Sequence, residues 1–145
     1  MTGNEDLPQA APAFAAHFTD PIYNDPANDF APFGSDEAWD MLHEWADRSD
    51  ELHSNTTVAD VLEESGFAEV VSELDNEEKP EIHAPGQVDA ATITVAAGFT
   101  LLRLTGHIDE AGRRHTLEAL DVLIRYYGPR TELVRQRTDL ESWSN

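Results

Sequence analysis

Apolar residues recur at helical spacing through most of this chain, and the pattern breaks where Pro, Gly or acidic runs intervene. Ala38, Trp39, Leu42, Trp45 and Ala46 fall at the intervals of one helix face. Ser35 precedes them as an N-cap, with Asp36 and Glu37 in the first turn, where their charge meets the positive end of the helix dipole. The spacing predicts a helix from Asp36 to about Asp50, with Glu37, Asp40, Glu44 and Asp47 in register along its outer side. Thr57 can cap a second helix bearing Val58, Val61 and Leu62. Gly66 is placed to stop that helix, or to let it bend toward Phe67, Val70, Val71 and Leu74. Residues 75–86, Asp-Asn-Glu-Glu-Lys-Pro-Glu-Ile-His-Ala-Pro-Gly, read as the clearest loop in the chain.

Residues 88–104 are apolar nearly all round, the mark of a helix at the centre of a bundle. The β-branched run Thr92–Val95 leaves a strand open, whereas the length and the small residues Ala96, Ala97 and Gly98 favour helix. Gly106 ends it. Asp109 opens a further helix through Leu117, Leu120, Leu123, Ile124 and Tyr127, ended by Gly128-Pro129. Together these two form a central antiparallel hairpin over 87–128. A short last helix holds Leu133, Val134 and Leu140 and reaches toward Trp143. Five of the eight prolines, Pro8, Pro12, Pro21, Pro26 and Pro32, stand in the first 32 residues, so that stretch reads as extended or turn-like chain. Residues 1–18 are expected to be a disordered or extended arm, while Phe14, Phe18, Tyr23, Phe30 and Phe33 can pin the stretch to a helical body. The expectation is a single all-α domain over residues 1–145, an irregular bundle of four to five helices with an extended Pro-rich N-terminal arm.

Charge changes this picture. Residues 1–89 carry 22 Asp and Glu against only Arg48 and Lys79, whereas residues 90–145 carry seven acids and seven arginines. All of the net charge of −20 thus lies in the first part of the chain. An acidic chain of this kind is a poor ligand for phosphate backbones, which argues against direct nucleic-acid binding and against anionic membranes. No uninterrupted apolar stretch reads as a membrane span, and the acidic start Met1–Asp6 does not resemble a signal peptide, so the expected location is the cytoplasm. Cysteine is absent, which excludes disulfides, thiolate catalysis and Cys-type zinc sites. One Lys against eight Arg is what a GC-rich genome produces, and surplus acid is what a salt-adapted proteome produces. Neither accounts for the neutral remainder.

One patch looks like a signature. It runs Asp29-Phe30-Ala31-Pro32-Phe33-Gly34-Ser35-Asp36-Glu37-Ala38-Trp39-Asp40-Met41-Leu42. Phe33 can staple onto the first turns of the helix, against Trp39 or its neighbours, and Gly34 allows a tight turn into it. Asp36 and Asp40, four apart, share a face. This segment resembles the motif of YfeS-like bacterial proteins, in which Asp-x-Phe-x-Pro-Phe-Gly-Asn-Asp precedes an Asp-containing helix. It is more loosely similar to a bacterial family of unknown function with a Phe-x-Asn-Asp-x-Ala-x-Asp-Trp motif. Ser35 stands where those families carry Asn, and both residue types cap helices. The resemblance covers roughly residues 20–46. It implies a small α-rich bacterial protein, with some relatives that look like immunity or toxin-associated proteins, and no chemistry to carry over.

Candidate chemistry is sparse. Asp40-x-x-His43, His107-x-x-Glu110 and His115-x-x-Glu118 each place two ligand types on one helix face, but di-metal bundles use Glu-x-x-His pairs, whereas here the order is reversed twice and the third pair uses Asp. Asp20, Asp25, Asp29 and Asp36 do not follow EF-hand spacing. No nucleophile elbow or phosphate-binding Gly-rich loop is present. Accordingly no catalytic residue, metal ligand or cofactor is assigned. The favoured reading is a non-enzymatic acidic interaction module, of immunity or inhibitor type, that meets a basic protein through Asp36, Glu37, Asp40, Glu44, Asp47, Asp60, Glu63 and Glu64. Phe30, Phe33, Gly34, Ser35 and Trp39 then serve as structural motif residues. Two alternatives stand beside it: an enzyme or metal-binding helical protein with an unrecognised site, and an acidic housekeeping domain without a dedicated partner.

Overall fold

Seven α-helices account for most of the regular structure in the described residues, 7–74 and 85–144, of this computed structural model. They are α1 (Pro12–His17), α2 (Asp36–Asp47), α3 (Val58–Glu64), α4 (Ala68–Leu74), α5 (Pro85–Thr105), α6 (Glu110–Tyr127) and α7 (Thr131–Glu141). No strand occurs among the described residues. The all-α bundle is therefore present, with more and shorter helices than the expected four to five. The difference lies in α1 and in the split of the second helical region into α3 and α4. That split falls at Gly66, whose φ of +91° is a conformation that favours glycine.

The centre is α5. Every residue from Thr94 to Arg103 is buried, and α1, α2, α3 and α6 pack around the helix. The β-branched run does not become a strand. Thr92 and Thr94 turn their hydroxyls back to donate to Val88 and Ala90 carbonyls one turn earlier, so their polar groups are satisfied within the helix. Residues Gln87–Thr105 also have the length and mean hydropathy, 1.3 over the apolar window, of a membrane-spanning helix. That departs from the expectation that no such stretch exists, and 67% of the window is buried inside the bundle. The expected hairpin is the α5–α6 pair, and α7 folds back against α6.

Residues 7–18 are neither disordered nor extended throughout, contrary to expectation. Pro12 occupies the first turn of α1, where its missing N–H costs nothing. Leu7, Phe14 and Phe18 are buried. Phe14 and Phe18 stack at 4.6 Å between ring centroids, and Phe18 meets Tyr23, Phe99 and Trp143 at 5.0, 5.6 and 5.5 Å. Apolar burial of this extent outweighs the extended bias of the prolines. Most of the expected 75–86 loop, residues 75–84, lies outside the described residues, and α5 already begins at Pro85.

Two polar devices fix the arm. Arg103, only 4% exposed, donates from Nε and Nη2 to the Pro8 carbonyl and from Nη1 to the Tyr23 carbonyl and Asn24 Oδ1. Its own backbone carbonyl accepts from Ala11 N at 2.7 Å, which satisfies an orphan carbonyl of the last turn of α5. The second device is one face of α7. Glu132 Oε2 accepts from Asn28 Nδ2, Gln136 Nε2 donates to the Phe30 carbonyl, and Asp139 Oδ2 accepts from the Tyr23 hydroxyl. These three positions are spaced i, i+4 and i+7, so a single helix face holds the whole loop.

Candidate functional site

The signature segment folds as a capped helix start. Asn28 Oδ1 accepts from Phe30 N, and the Asn28 carbonyl accepts from Ala31 N, which curls the chain tightly. Gly34 sits against this curl so closely that a Cβ there would overlap the Asn28 carbonyl oxygen. Ser35 Oγ then accepts from Ala38 N at 3.2 Å and opens α2. Phe33 is fully buried, but it points into the core toward Phe14 and under the Arg103 guanidinium, 5.2 Å from its ring, rather than serving only the first turns of α2. Trp39 is half-buried and lies beside the His43 ring, with 4.1 Å between centroids.

One face of α2 buries Ala38, Met41, Leu42 and Trp45, which leaves Asp36, Glu37, Asp40, Glu44 and Asp47 exposed. On α3, Val58, Val61 and Leu62 are buried while Asp60, Glu63 and Glu64 are exposed. The two acidic rows meet at Arg48. Its guanidinium lies 2.9 Å from Glu44, 3.0 Å from Glu51 and 3.5 Å from Glu64, and stacks 4.2 Å from the Trp45 ring. Trp45 Nε1 donates to Ser65 Oγ at 2.8 Å and so ties α2 to the end of α3. Hydrogen bonding to Arg48 holds the Glu51 carboxyl below the usual carboxylate range. Three of the eight predicted contact residues already have work inside the chain, Glu64 among them through its 3.5 Å pairing with Arg48. Asp60 completes a capping box with Thr57, and Glu44 pairs with Arg48. By contrast the carboxylates of Asp36, Glu37, Asp40, Asp47 and Glu63 make no hydrogen bond or ion pair among the described residues.

A cleft of about 420 Å³ opens beside the same segment. Asp29–Pro32 and Ser35–Ala38 form one side. Val88, Asp89, Thr92 and Val95 of α5 form another, and Leu123, Tyr127, Leu133 and Gln136 of α6 and α7 complete it. Periodicity could not locate this cleft, because it is assembled from four distant segments. Phe30, at its edge, lies 5.2 Å from the Tyr127 ring, and the Arg130 guanidinium sits 4.6 Å from the Phe30 ring.

The histidine–acid pairs do not converge. Among the described residues no group of three or more His, Asp and Glu side chains is placed to hold a metal ion. His43 Nδ1 lies 2.9 Å from the Trp39 carbonyl, and His115 Nδ1 lies 3.5 Å from Glu118. Arg103 and Gln136 went unrecognised as buried polar residues, since in sequence a side chain that serves a distant carbonyl looks like one that serves water. Burial lowers the Arg103 guanidinium to about 10. It remains a buried cation at neutral pH, held by carbonyls and by the Phe14 and Phe33 rings rather than by a carboxylate. No family model, no curated protein and no solved structure matches the chain.

Proposed function

We propose that this chain is a non-enzymatic interaction module whose acidic α2–α3 face binds a basic protein. The observation that supports this reading is the segregation on α2. Its apolar face is consumed by the core, while five acids project on the opposite side next to the exposed acids of α3. A field of one sign, joined across two helices, speeds encounter with a cationic partner and suppresses wrong ones. An immunity- or inhibitor-type role is the form of this reading that the likeness to YfeS-like proteins favours. The test is capture of proteins from a lysate on the immobilised chain, with elution by rising salt. Basic proteins should elute early, and the Asp40→Asn, Glu44→Gln, Asp47→Asn triple variant should retain far less of them. Equal retention by that variant, with its helical content intact, contradicts the reading.

A further inference from the structure

We infer that the cleft beside the signature segment receives an arginine side chain of the basic partner, an anchor at the end of the acidic face. This rests on the reading that the face meets a basic protein, and it adds where that protein is gripped. Four carboxylates border the cleft, from Asp29 in the loop, Asp36 and Glu37 at the start of α2, and Asp89 on α5. None of them makes a hydrogen bond or ion pair among the described residues. The N-terminus of α2 is also there, and its dipole opposes a cation. That dipole amounts to about half a positive charge, so four carboxylates outweigh it. Ser35 Oγ already takes one of its N–H groups.

The second observation is Gln136. It is completely buried and forms part of the cleft wall. Its Nε2 donates to the Phe30 and Glu132 carbonyls, which fixes the orientation of the amide. Its Oε1 is left without a hydrogen bond among the described residues. A buried carbonyl-type oxygen without a donor is costly, and a ligand that donates there removes the cost. The ligand that this wall fits is therefore a donor and a cation.

Guanidinium fits better than ammonium. It is a planar fork with five N–H donors, able to serve carboxylates and an amide oxygen at once, and it stacks on aromatic rings. Phe30 already accepts a guanidinium, that of Arg130, against its ring. Val95 and Leu133 offer apolar surface to an aliphatic stem. The volume lies within the roughly 300–1,000 Å³ typical of small-ligand sites.

The probe is a blocked Gly-Arg-Gly peptide, compared with its citrulline and lysine counterparts, titrated into the isotope-labelled chain and followed by NMR. The arginine peptide should shift the Gln136 side-chain amide and the backbone signals of Thr92 and Tyr127. The citrulline peptide should shift none of these. Asp29→Asn with Asp89→Asn should weaken arginine-peptide binding by about tenfold, the loss expected for two solvent-exposed ion pairs. The charge-matched pair Glu110→Gln with Glu118→Gln should leave it unchanged. Lysine binding as tight as arginine overturns the guanidinium assignment. Shifts confined to residues 40–47 overturn the cleft and leave the acidic-face reading standing. If the cleft responds while the α2 triple variant still captures the same lysate proteins, the cleft assignment holds and the acidic-face reading falls.

Discussion

At the residue scale the fold depends on polar groups whose partners lie far away in the chain. Arg103 is the clearest case. It holds the Pro8 and Tyr23 carbonyls from the end of the most buried helix. Arg103→Met keeps the bulk and removes a desolvated charge, but it leaves those carbonyls unpaired, at roughly 1–3 kcal/mol each. The expected result is a loss of about 3 kcal/mol in urea unfolding, with new proteolytic cleavage within residues 7–24. Unchanged stability and protection would show that the aromatic cluster alone holds the arm. Glu132 gives a pH-dependent counterpart. The hydrogen bond from Asn28 holds its carboxyl below the ordinary 4.5. Folding therefore favours the carboxylate, so its contribution is complete above that value and fades as pH falls through the lowered one. Asn28→Ala should cost stability at neutral pH, and the difference from wild type should shrink as the pH falls below the ordinary carboxylate range. A difference independent of pH would contradict that linkage. Neither Arg103 nor the Glu132–Gln136–Asp139 face was legible in the sequence. Hydropathy assigns a charged or amide side chain to solvent unless its partner is known, and here the partners lie about a hundred residues away.

At the scale of elements, local signals were legible and tertiary joints were not. Ser35, Thr57 and Asp109 cap the helices they were expected to cap, because a cap needs only its own next turn. Gly34 was legible as a turn residue, but its tight approach to Asn28 depends on how the preceding loop curls. Asp109 does more than its spacing indicates. Its Oδ2 accepts from Gly112 N at 2.9 Å, while its Oδ1 accepts from Val58 N at 2.8 Å, so one carboxylate starts both α6 and α3. Asp109→Ala should therefore cost about 2–3 kcal/mol, above the usual value near 1 kcal/mol for a single cap. Asp109→Asn, which keeps one acceptor oxygen, should lose less. A loss of about 1 kcal/mol for the Ala variant in chemical denaturation would mean that the joint to α3 contributes nothing. In the proline-rich arm the rings that pin it to the bundle were legible, but the helical turn of α1 was not. Proline statistics describe isolated chain, and the ring cluster of Phe14, Phe18, Tyr23 and Phe99 overrides them.

At the scale of the whole molecule, charge and hydrophobicity divide the chain. The neutral C-terminal part supplies α5, α6 and α7, the scaffold on which the acidic part is mounted. The acidic part supplies α2 and α3, with Arg48 at their junction, and the signature segment borders a cleft whose carboxylates come from the loop, α2 and α5. The charge asymmetry and the acidic face of α2 were legible as composition and periodicity. The cleft was not, since it exists only once the arm, α5, α6 and α7 are brought together. The central claim is that the α2–α3 face is the contact surface. The most direct test is hydrogen exchange of the chain, alone and with the basic protein it retains. The account predicts new protection over residues 36–47 and 58–64, with little change along the first half of α6, residues 110–119. Protection that falls on α6 while α2 and α3 exchange as they do in the free chain would contradict it.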